Sequence, residues 1–411
     1  MHVILIGYSL KLGHWAKTSL LKACLGIIAL AMLLMSLGCS DFKKRQTINA
    51  LPLNSPKNLP GWRKAGLFEA YNAFKLSCPF MTSKLPKSLQ RNLLQDQGSI
   101  HWDQVCQLAL RANVISDSSA KAFFNEFFTF WKIEDDINGG LYTGYYEADI
   151  RGSEKRTSRY KYPIYSRPTD LVSTHYLKSR YSKSKKVMWG RRKNGVIVPY
   201  YTRAEITDGA VAQNASIIAW GDSLIDIFFL QIQGSGRIQL PNGRIIRVGY
   251  AASNGHPYTS VGKILSDAGE LFPEEISMQT IRAWLAKNPT KVKQILNSNA
   301  RFIFFKKLKT LGPVGAMGVT LIPGRSIAVD PRIIPMGAPI WIDTSYPASN
   351  KPMQKLMVAQ DVGIAIKGGA RGDIFFGYGK KAAADAGLMK QRGNMFVLLP
   401  KRLRSWKYIN E

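Results

Sequence analysis

Three aspartates near the C-terminal end of the sequence stand where a carboxyl group could do acid–base chemistry. Asp330 follows a predicted strand in Ile-Ala-Val-Asp-Pro, Asp361 ends another in Met-Val-Ala-Gln-Asp-Val-Gly, and Asp373 begins a third in Arg-Gly-Asp-Ile-Phe. Strand ends and loops are where a rigid scaffold presents functional groups. Aspartate is also common in turns, because its side chain hydrogen-bonds nearby main-chain groups. The pattern alone therefore leaves a structural role open for each of them.

Motifs for several other chemistries are missing from the sequence. It contains no His-Glu-x-x-His, no paired Cys-x-x-Cys and no Gly-x-x-x-x-Gly-Lys-Ser/Thr, so zinc peptidases, zinc ribbons and P-loop proteins lack support. Ser235 lies in the glycine turn Gln-Gly-Ser-Gly-Arg, which is not the nucleophile elbow of α/β-hydrolases. We interpret Ser235 as a residue that shapes the backbone or contacts substrate. The sequence predicts neither a metal nor a cofactor.

The elements that must position these residues change in character along the chain. Residues 67–74 and 102–112, and a segment that begins with a capping serine at Ser118, have helical spacing. From residue 139 onward short apolar runs and turn signals predict strands, with helices returning in the second half. The predicted strands are 196–201, 216–220, 225–233, 244–250, 301–305, 319–322, 327–329, 339–342, 355–360 and 394–399. The predicted helices of this part are 261–267, 277–285 and 379–386. The fold class is mainly β with helices, and the short C-terminal strands around one helix suggest a small closed barrel.

The N-terminus has the layout of a signal peptide over residues 1–38. An uncharged apolar run, 23–38, follows three lysines and is short for a membrane-spanning helix. It ends in Ser-Leu-Gly-Cys39, which resembles a lipobox and predicts acylation of Cys39; an uncleaved anchor helix is the alternative. Ser40 after this cysteine resembles the outer-membrane sorting pattern of Gram-negative lipoproteins. Residues 40–60 are polar and contain three prolines, and the segment 39–59 is predicted to be a tether.

The charge of the chain is strongly positive. Formal net charge is +30, and removal of residues 1–38 would leave +27 because three lysines are lost. Such a field attracts nucleic acid, anionic lipid or an acidic wall polymer, and export argues against nucleic acid. The densest basic stretch, 178–193, has no acidic residue and is predicted to be either a solvated loop or a patch that contacts a polymer or membrane.

Two cysteines remain in the body of the exported chain. Cys78 and Cys106 form an even pair, which is consistent with a disulfide in an oxidising compartment. Two buried free thiols are the alternative that the sequence leaves open.

Widely spaced motifs resemble one known family. They run in order from Thr-Gly-Tyr-Tyr at 143–146 to the three aspartate segments, and together they cover most of residues 60–400. The other matching motifs are Tyr-Pro-Ile-Tyr at 162–165, Gln-Gly-Ser-Gly at 233–236, Asn-Gly-His at 254–256, Gly-Lys at 262–263 and Phe-Phe at 304–305. The chain resembles membrane-bound lytic murein transglycosylase A, whose C-terminal part is named for three aspartates.

The resemblance implies an architecture and a set of site residues. The family has a double-psi β-barrel interrupted by a second β-rich domain, with the glycan in the cleft between them. On this chain the barrel domain would be 60–147 and 315–411, and the inserted substrate-binding domain 148–314. Asp373 matches the catalytic acid, and Asp361 and Asp330 match the other two signature aspartates. The residues expected to line the sugar groove are Thr143, Tyr145, Tyr146, Gln233, Ser235 and Gly236. Ile364 departs from the family, which usually has glycine there.

The implied reaction explains why one acid would suffice. Ordinary glycosidases use two carboxylates, whereas a lytic transglycosylase uses no water and closes a 1,6-anhydro ring on N-acetylmuramic acid. Asp373 would act as acid and then as base, while Asp361 would supply charge or orient the site, or only cap a turn. For Asp330 a structural role is favoured. The partners implied are peptidoglycan strands and, through a lipid anchor, a membrane of the cell envelope; a hydrolytic muramidase, a non-catalytic expansin-like wall-binding module and a basic scaffold remain alternatives.

Overall fold

The structure is a computed structural model that describes residues 50–53, 55–83, 102–134, 139–179, 182–347, 349 and 351–401. All of these belong to one structural unit, Ile48–Glu411. The predicted signal peptide and Cys39 lie outside the described residues. In the described part of the chain no helix has both the length and the apolar character needed to cross a membrane.

Helices form three groups along the chain. The first group is α1 (Phe68–Ser83), α2 (Trp102–Arg111) and α3 (Asp117–Phe127). Helix α3 begins at a capping box between Ser116 and Ser119, two residues before the predicted cap at Ser118. The remaining helices are α4 (Arg203–Thr207), α5 (Leu224–Gln233), α6 (Val261–Asp267), α7 (Met278–Lys287), α8 (Val292–Asn297) and α9 (Gly379–Leu388).

Strands make up most of the remaining ordered chain. Those before residue 200 are β1 (Ala50–Pro52), β2 (Phe128–Ile133), β3 (Gly140–Ser153), β4 (Tyr162–Tyr165), β5 (Val172–Ser179), β6 (Ser182–Lys193) and β7 (Val196–Pro199). Those after it are β8 (Ile217–Gly221), β9 (Ser235–Gln239), β10 (Ile245–Ser253), β11 (Ile303–Lys307), β12 (Ser326–Val329), β13 (Pro339–Ser345), β14 (Pro352–Val362), β15 (Arg371–Tyr378) and β16 (Lys390–Pro400). The fold is therefore sheet-rich with helices, in agreement with the predicted class.

One mixed sheet carries the candidate site. Its strand order is β1-β2-β16-β13-β14-β12-β15-β3-β9-β10-β11, and β4 and β8 join it at β3. Strand β12 runs parallel to β14 and antiparallel to β15, and β15 runs parallel to β3. Strand β16 pairs with β13 and, through its first residues, also with β3. The first part of the long strand β3 pairs with β15, and its later part runs parallel to β9. Strand β3 therefore connects strands near the C-terminus with strands from the middle of the chain.

Two of the predicted strands are wrong. Residues 225–233 form helix α5: the Ser223 hydroxyl accepts from the main chain of Asp226 at its start, and Gly234 ends it at a φ of 80°. A short apolar run that is buried all round does not reveal its period, so its caps were the better signal. Residues 319–322 form no strand and contribute only an isolated bridge between Val314 and Thr320.

Two segments predicted to be irregular are ordered. The basic stretch is not a loop from Ser182 onward, because β6 pairs with β5 and β7 in a separate three-stranded sheet. The predicted tether also joins the fold earlier than expected: β1 pairs with β2, and Leu59 is buried. The C-terminal part of the predicted tether is therefore packed against the folded body and is not a flexible linker.

The N-terminal helices are held to one another by a disulfide. Cys78 of α1 and Cys106 of α2 are joined, with Cα atoms 5.1 Å apart. Both lie in a core that also contains Trp62, Phe74 and Trp341. This core packs α1 against β14, the strand that carries Asp361.

Replacement of both cysteines by serine is expected to lower the free energy of unfolding by about 3 to 4 kcal/mol, because the bridge closes a 28-residue separation in the unfolded chain. Denaturant unfolding of the oxidised wild type and the double variant measures the difference. The reduced wild type is the control, and it should match the double variant; equal stability of the oxidised and reduced wild type would contradict the expectation.

Candidate active site

Two of the three aspartates lie at the same level of the mixed sheet, separated by one strand. In the strand registers, Ala328 of β12 is the partner of Asp361 on β14 and of Asp373 on β15. The next strand over, β3, places Thr143 opposite Asp373. Neighbouring strands are about 4.8 Å apart, so these four residues form a row about 14 Å long. We call Asp361, Ala328, Asp373 and Thr143 the active row.

Asp373 is linked through the hydroxyl of Thr143 to a half-buried arginine, Arg371. The hydroxyl of Thr143 donates to Asp373 Oδ1 at 2.5 Å, and Arg371 Nη2 donates to that hydroxyl at 2.8 Å. Among the described residues none bonds Asp373 Oδ2. Burial raises the pKa of Asp373, and the hydrogen bond from Thr143 and the charge of Arg371 oppose the rise only in part. The site therefore favours a protonated Asp373 with one oxygen left for a ligand.

Asp361 has more hydrogen-bond donors around it than Asp373. The main-chain N–H groups of Ala316 and Val362 each donate to its Oδ1 at 2.9 Å, and the Tyr145 hydroxyl donates to Oδ2 at 2.9 Å. Burial raises the pKa of Asp361 to about 6 in spite of these donors, and the charge of Asp373 adds to the rise. Burial is thus the main cause of the raised pKa of Asp361, and the charge of Asp373 on the next strand but one is a smaller cause.

An apolar cluster supports the row from the same face of the sheet. Tyr145 and Phe375 follow Thr143 and Asp373 by two residues on their strands, so their side chains point to the same side. Their ring centroids are 5.3 Å apart, and both rings pack with Ala328 and Ile366. This packing fixes the Tyr145 hydroxyl at Asp361 and keeps water from the back of the two carboxyl groups.

The active row opens into a cavity of about 810 Å³. Asp361 and Asp373 line it together with Tyr145, Gln233 and Ser235. Gln233 ends α5 and accepts from the main chain of Tyr146 at 2.9 Å, which ties the helix to β3. Further lining side chains that the sequence did not indicate are Arg203, Gln231, Tyr250, Tyr258, Asn299 and Arg301. The cavity thus presents two acids on one wall and amides, hydroxyls and cations on the other, which suits a polar, hydroxyl-rich ligand.

Comparison with known proteins connects both walls of this cavity to one family. A family model described as MltA specific insert domain matches residues 141–306, and a model described as 3D domain matches residues 325–399. Membrane-bound lytic murein transglycosylase A of Escherichia coli strain K12 is 35% identical over 278 residues, covering 65% of this chain and 68% of that protein. The chain belongs to the membrane-bound lytic murein transglycosylase A family.

Solved structures of the transglycosylase A family have the same fold. A crystal structure of membrane-bound lytic murein transglycosylase from Agrobacterium tumefaciens aligns with a TM-score of 0.75 at 32% identity, covering 86% of this chain and 97% of that one. A crystal structure of Escherichia coli MltA with bound chitohexaose aligns with a TM-score of 0.63 at 29% identity, covering 86% of this chain and 95% of that one. The recognition of the family from widely spaced motifs is confirmed.

Three of the expected groove residues of this transglycosylase A family member lie behind the cavity wall. Thr143 contacts Asp373 and does not itself line the cavity. Tyr146 is buried in the core of the 148–314 region, with its hydroxyl 3.6 Å from Met278 Sδ. Gly236 sits in β9 between β3 and β10. Tyr146 and Gly236 differ from their cavity-lining neighbours Tyr145 and Ser235 because alternate residues of a strand point to opposite sides.

A side chain at Gly236 would collide with its neighbours. A Cβ there would lie 2.4 Å from Leu230 Cδ1 and 2.8 Å from the carbonyl oxygen of Ala148. The replacement of Gly236 by alanine is therefore expected to lower the free energy of unfolding by about 1 to 3 kcal/mol, as overpacking does. Thermal or denaturant unfolding checks this, with Gly243→Ala as a control in open space but at a positive φ. A Gly236→Ala variant as stable as wild type would show that β9 can move away from β3.

Asp330 lies outside the pair formed by the other two aspartates. It is fully buried, forms a salt bridge with Arg332 and accepts from the main chain of Gly368 at 3.1 Å. Burial alone would raise its pKa, but the hydrogen bonds from Arg332 and Gly368 outweigh burial and hold the pKa below its usual value. A carboxyl group held in this way stays charged and ties the turn after β12 to the loop before β15.

The sequence reasoning missed Arg371 and the cationic side of the cavity. Arg371 precedes Asp373 by two residues on one strand, and that spacing could have placed it on the same face. No sequence signal joins Arg203 to Arg301: they meet because Arg203 donates to the carbonyl oxygens of Asn299 and Arg301 across the fold. Within the described ranges no group of three His, Cys, Asp or Glu side chains could hold a metal ion.

Proposed function

We propose that this protein cleaves the glycan strands of murein as a lytic transglycosylase, with Asp373 as the single general acid and base. The observation that carries the proposal is the half-buried Asp373 carboxyl group at the cavity wall, whose pKa is raised and whose Oδ2 no described residue bonds. Family membership supplies the substrate class, since the relatives are named lytic murein transglycosylases. The fold and the site of this chain are consistent with that activity.

Burial favours the protonated form of Asp373, which supplies the proton for the first step. Three donors point at Asp361 and stabilise its charged form, whereas one hydroxyl donates to Asp373. We place the proton for the first step on Asp373 Oδ2, because burial raises the pKa of Asp373 and no described residue bonds that oxygen. From there it passes to the oxygen that links C1 of N-acetylmuramic acid to N-acetylglucosamine, and the C1–O bond breaks. Asp373 is left as a carboxylate beside an oxocarbenium-like sugar.

The second step returns the proton to Asp373. The C6 hydroxyl of the same muramoyl residue attacks C1, a new C1–O6 bond closes the 1,6-anhydro ring, and the hydroxyl proton goes to the Asp373 carboxylate. No water is consumed, and the enzyme returns to its starting state. Asp361 is held by Ala316, Val362 and Tyr145, so it is not free to activate water as the second acid of a glycosidase does.

The other expected roles follow from the contacts of each side chain. The negative charge of Asp361 favours the protonated form of Asp373 and stabilises the positive sugar of the transition state. Gln233 and Ser235 hydrogen-bond sugar hydroxyl or acetamido groups, and Tyr145 orients Asp361. The chitohexaose seen in the Escherichia coli relative supports a groove of this kind for a chain of amino sugars. Asp330 acts on the structure, through the turn that it holds.

The proposed architecture is a double-psi β-barrel with an inserted domain. Strands β16, β13, β14, β12, β15 and β3 pair in that order, and the further pairing of β16 with β3 supports closure of this ring. The barrel domain is proposed to comprise 60–147 and 315–411, and the inserted β-rich domain 148–314. The active row would then lie on the barrel and Gln233, Ser235 and the arginines on the insert, with the glycan in the cleft between them.

The protein is proposed to act in the cell envelope as an outer-membrane lipoprotein facing the periplasm. The relatives are named membrane-bound, and the sequence at Cys39 resembles a lipidation site. The Cys78–Cys106 disulfide supports an oxidising compartment. The strong positive charge of the chain favours contact with anionic wall polymer and anionic lipid.

Mass spectrometry of murein digested by the full chain, solubilised in detergent, tests the reaction. A lytic transglycosylase releases muropeptides that end in 1,6-anhydromuramic acid and are lighter by one water than hydrolysis products. Anhydro products from the wild type support the proposal. Reducing-end products would make the protein a hydrolase, and pelleting with murein without any soluble product would make it a wall-binding module.

A further inference from the structure

A second cavity lies next to the catalytic one. Its volume is about 710 Å³, and none of its lining residues takes part in the proposed proton transfers. The two cavities share Arg203 and Gln231, which are only 4% and 5% exposed and so form a common wall. The remainder of the second cavity is largely apolar and aromatic. Its apolar lining includes Tyr162, Tyr165, Ile227, Phe228, Leu285 and Phe302.

Arg203 is a buried cation without an acidic partner. Its Nε donates to the carbonyl oxygen of Asn299 at 2.9 Å, and its guanidinium group lies 4.8 Å from the Phe228 ring and 5.3 Å from the Phe302 ring. Among the described residues, no carboxylate is within ion-pair distance of it, and only Asn299 and Arg301 accept its side-chain hydrogen bonds. A buried charge is costly unless it is paired. The remaining N–H groups are therefore available for a carboxylate that the protein itself does not supply.

Two buried acceptors in the same cavity lack donors. Gln231 Oε1 and Asp222 Oδ1 have no hydrogen-bond partner among the described residues. The other oxygen of Asp222 is engaged, at 2.9 Å from Arg151 and 3.6 Å from Arg159. A buried acceptor left unpaired costs free energy, so such atoms mark places where a ligand donor fits. An amide N–H or an ammonium group supplies that donor.

The chemistry of these groups defines one ligand class. We infer that the second cavity binds a short peptide, with a carboxylate on Arg203, N–H or ammonium groups on Gln231 and Asp222, and side chains on the apolar lining. Given the proposed function, on which this inference rests, the peptide is the stem of murein, which carries both carboxylates and amino groups. Lys161 at the edge of the cavity adds positive charge that attracts such a peptide.

Binding of a free stem peptide to the full-length Asp373→Asn protein in detergent tests the inference without cleavage. The probe is a tetrapeptide of alanine, glutamate, a diamino acid and alanine. Its binding to the protein is measured by calorimetry. Gln231→Met is expected to weaken binding about fivefold, because a ligand hydrogen bond is lost. Loss of the unpaired acceptor does not destabilise the fold, which thermal unfolding confirms independently. Lys161→Ala is expected to weaken binding about twofold to threefold, and Lys351→Ala, an exposed lysine outside both cavities, to leave it unchanged.

The outcomes separate this inference from the proposed reaction. Peptide binding that Gln231→Met weakens supports the site, whether or not the wild type releases anhydro products. No measurable peptide binding, or equal binding by wild type and a folded Gln231→Met, overturns it even if anhydro products appear. Binding of free N-acetylmuramic acid in place of the peptide would also overturn it, since the carboxylate would then come from the sugar. In cleavage assays, Gln231→Met should reduce the preference for stem-bearing over amidase-stripped strands.

Discussion

Asp373→Asn should lower the release of anhydromuropeptides by about 10³-fold, because general acid–base catalysis by one positioned group contributes roughly 10² to 10⁴ and this residue would serve in both steps. Asparagine keeps the shape of the side chain and still accepts from Thr143, but it holds no transferable proton. The loss should therefore fall on kcat rather than on KM. Timed digestion of murein with quantitative mass spectrometry measures it.

Stability should not account for that loss. Burial disfavours the charged form of Asp373, so a neutral amide at this position costs little. Thermal unfolding of Asp373→Asn should match or exceed that of wild type. Asp267→Asn is the matched control, since Asp267 is exposed and, in the described part of the chain, forms an ion pair with Lys263 alone on the surface of α6. An Asp373→Asn protein that still releases anhydro products at a rate near wild type would remove Asp373 from the mechanism.

Asp361→Asn should give the second-largest effect, a fall of about 10- to 100-fold near neutral pH together with a changed pH profile. In the wild type, activity requires protonated Asp373 and falls as pH rises through its raised pKa. The charge of Asp373 raises the pKa of Asp361, and such coupling is reciprocal, so we expect an ionised Asp361 to favour the proton on Asp373. Its removal lowers the pKa of Asp373, so the alkaline limb of the profile should move to lower pH. Initial rates of anhydro product release between pH 4 and pH 8 test the direction of the shift.

A companion variant separates the charge of Asp361 from its hydrogen bonds. Tyr145→Phe removes one donor to Asp361 and keeps the negative charge. The alkaline limb should therefore stay close to its wild-type position, although the rate falls if Asp361 is less well oriented. If Asp361→Asn leaves the limb in place or moves it upward, the charge of Asp361 is not what keeps Asp373 protonated.

Local patterns in the sequence predicted much of the scaffold. Strands β12, β14 and β16 and helices α6 and α7 coincide with predicted segments, since their periodicity and caps are local properties. The positions of Asp361 and Asp373 at strand boundaries were visible for the same reason. The pairing of Cys78 with Cys106 was one of two alternatives, and the structure joins them. Helix α5 was mistaken for a strand because its apolar residues are buried on nearly all sides.

What the sequence by itself determined was the family and much of the helix and strand content, and it predicted Asp361 and Asp373 as the candidate acids. The tertiary structure alone decided that Ala328 brings Asp361 and Asp373 into one row, that Arg371 acts through Thr143, and that Tyr146 and Gly236 are structural neighbours of the cavity. It also decided that Arg203 is buried and that no acid among the described residues pairs with it. Periodicity is set by each residue and its near neighbours, whereas pKa values and cavities depend on groups far apart in sequence, which only the strand register brings together.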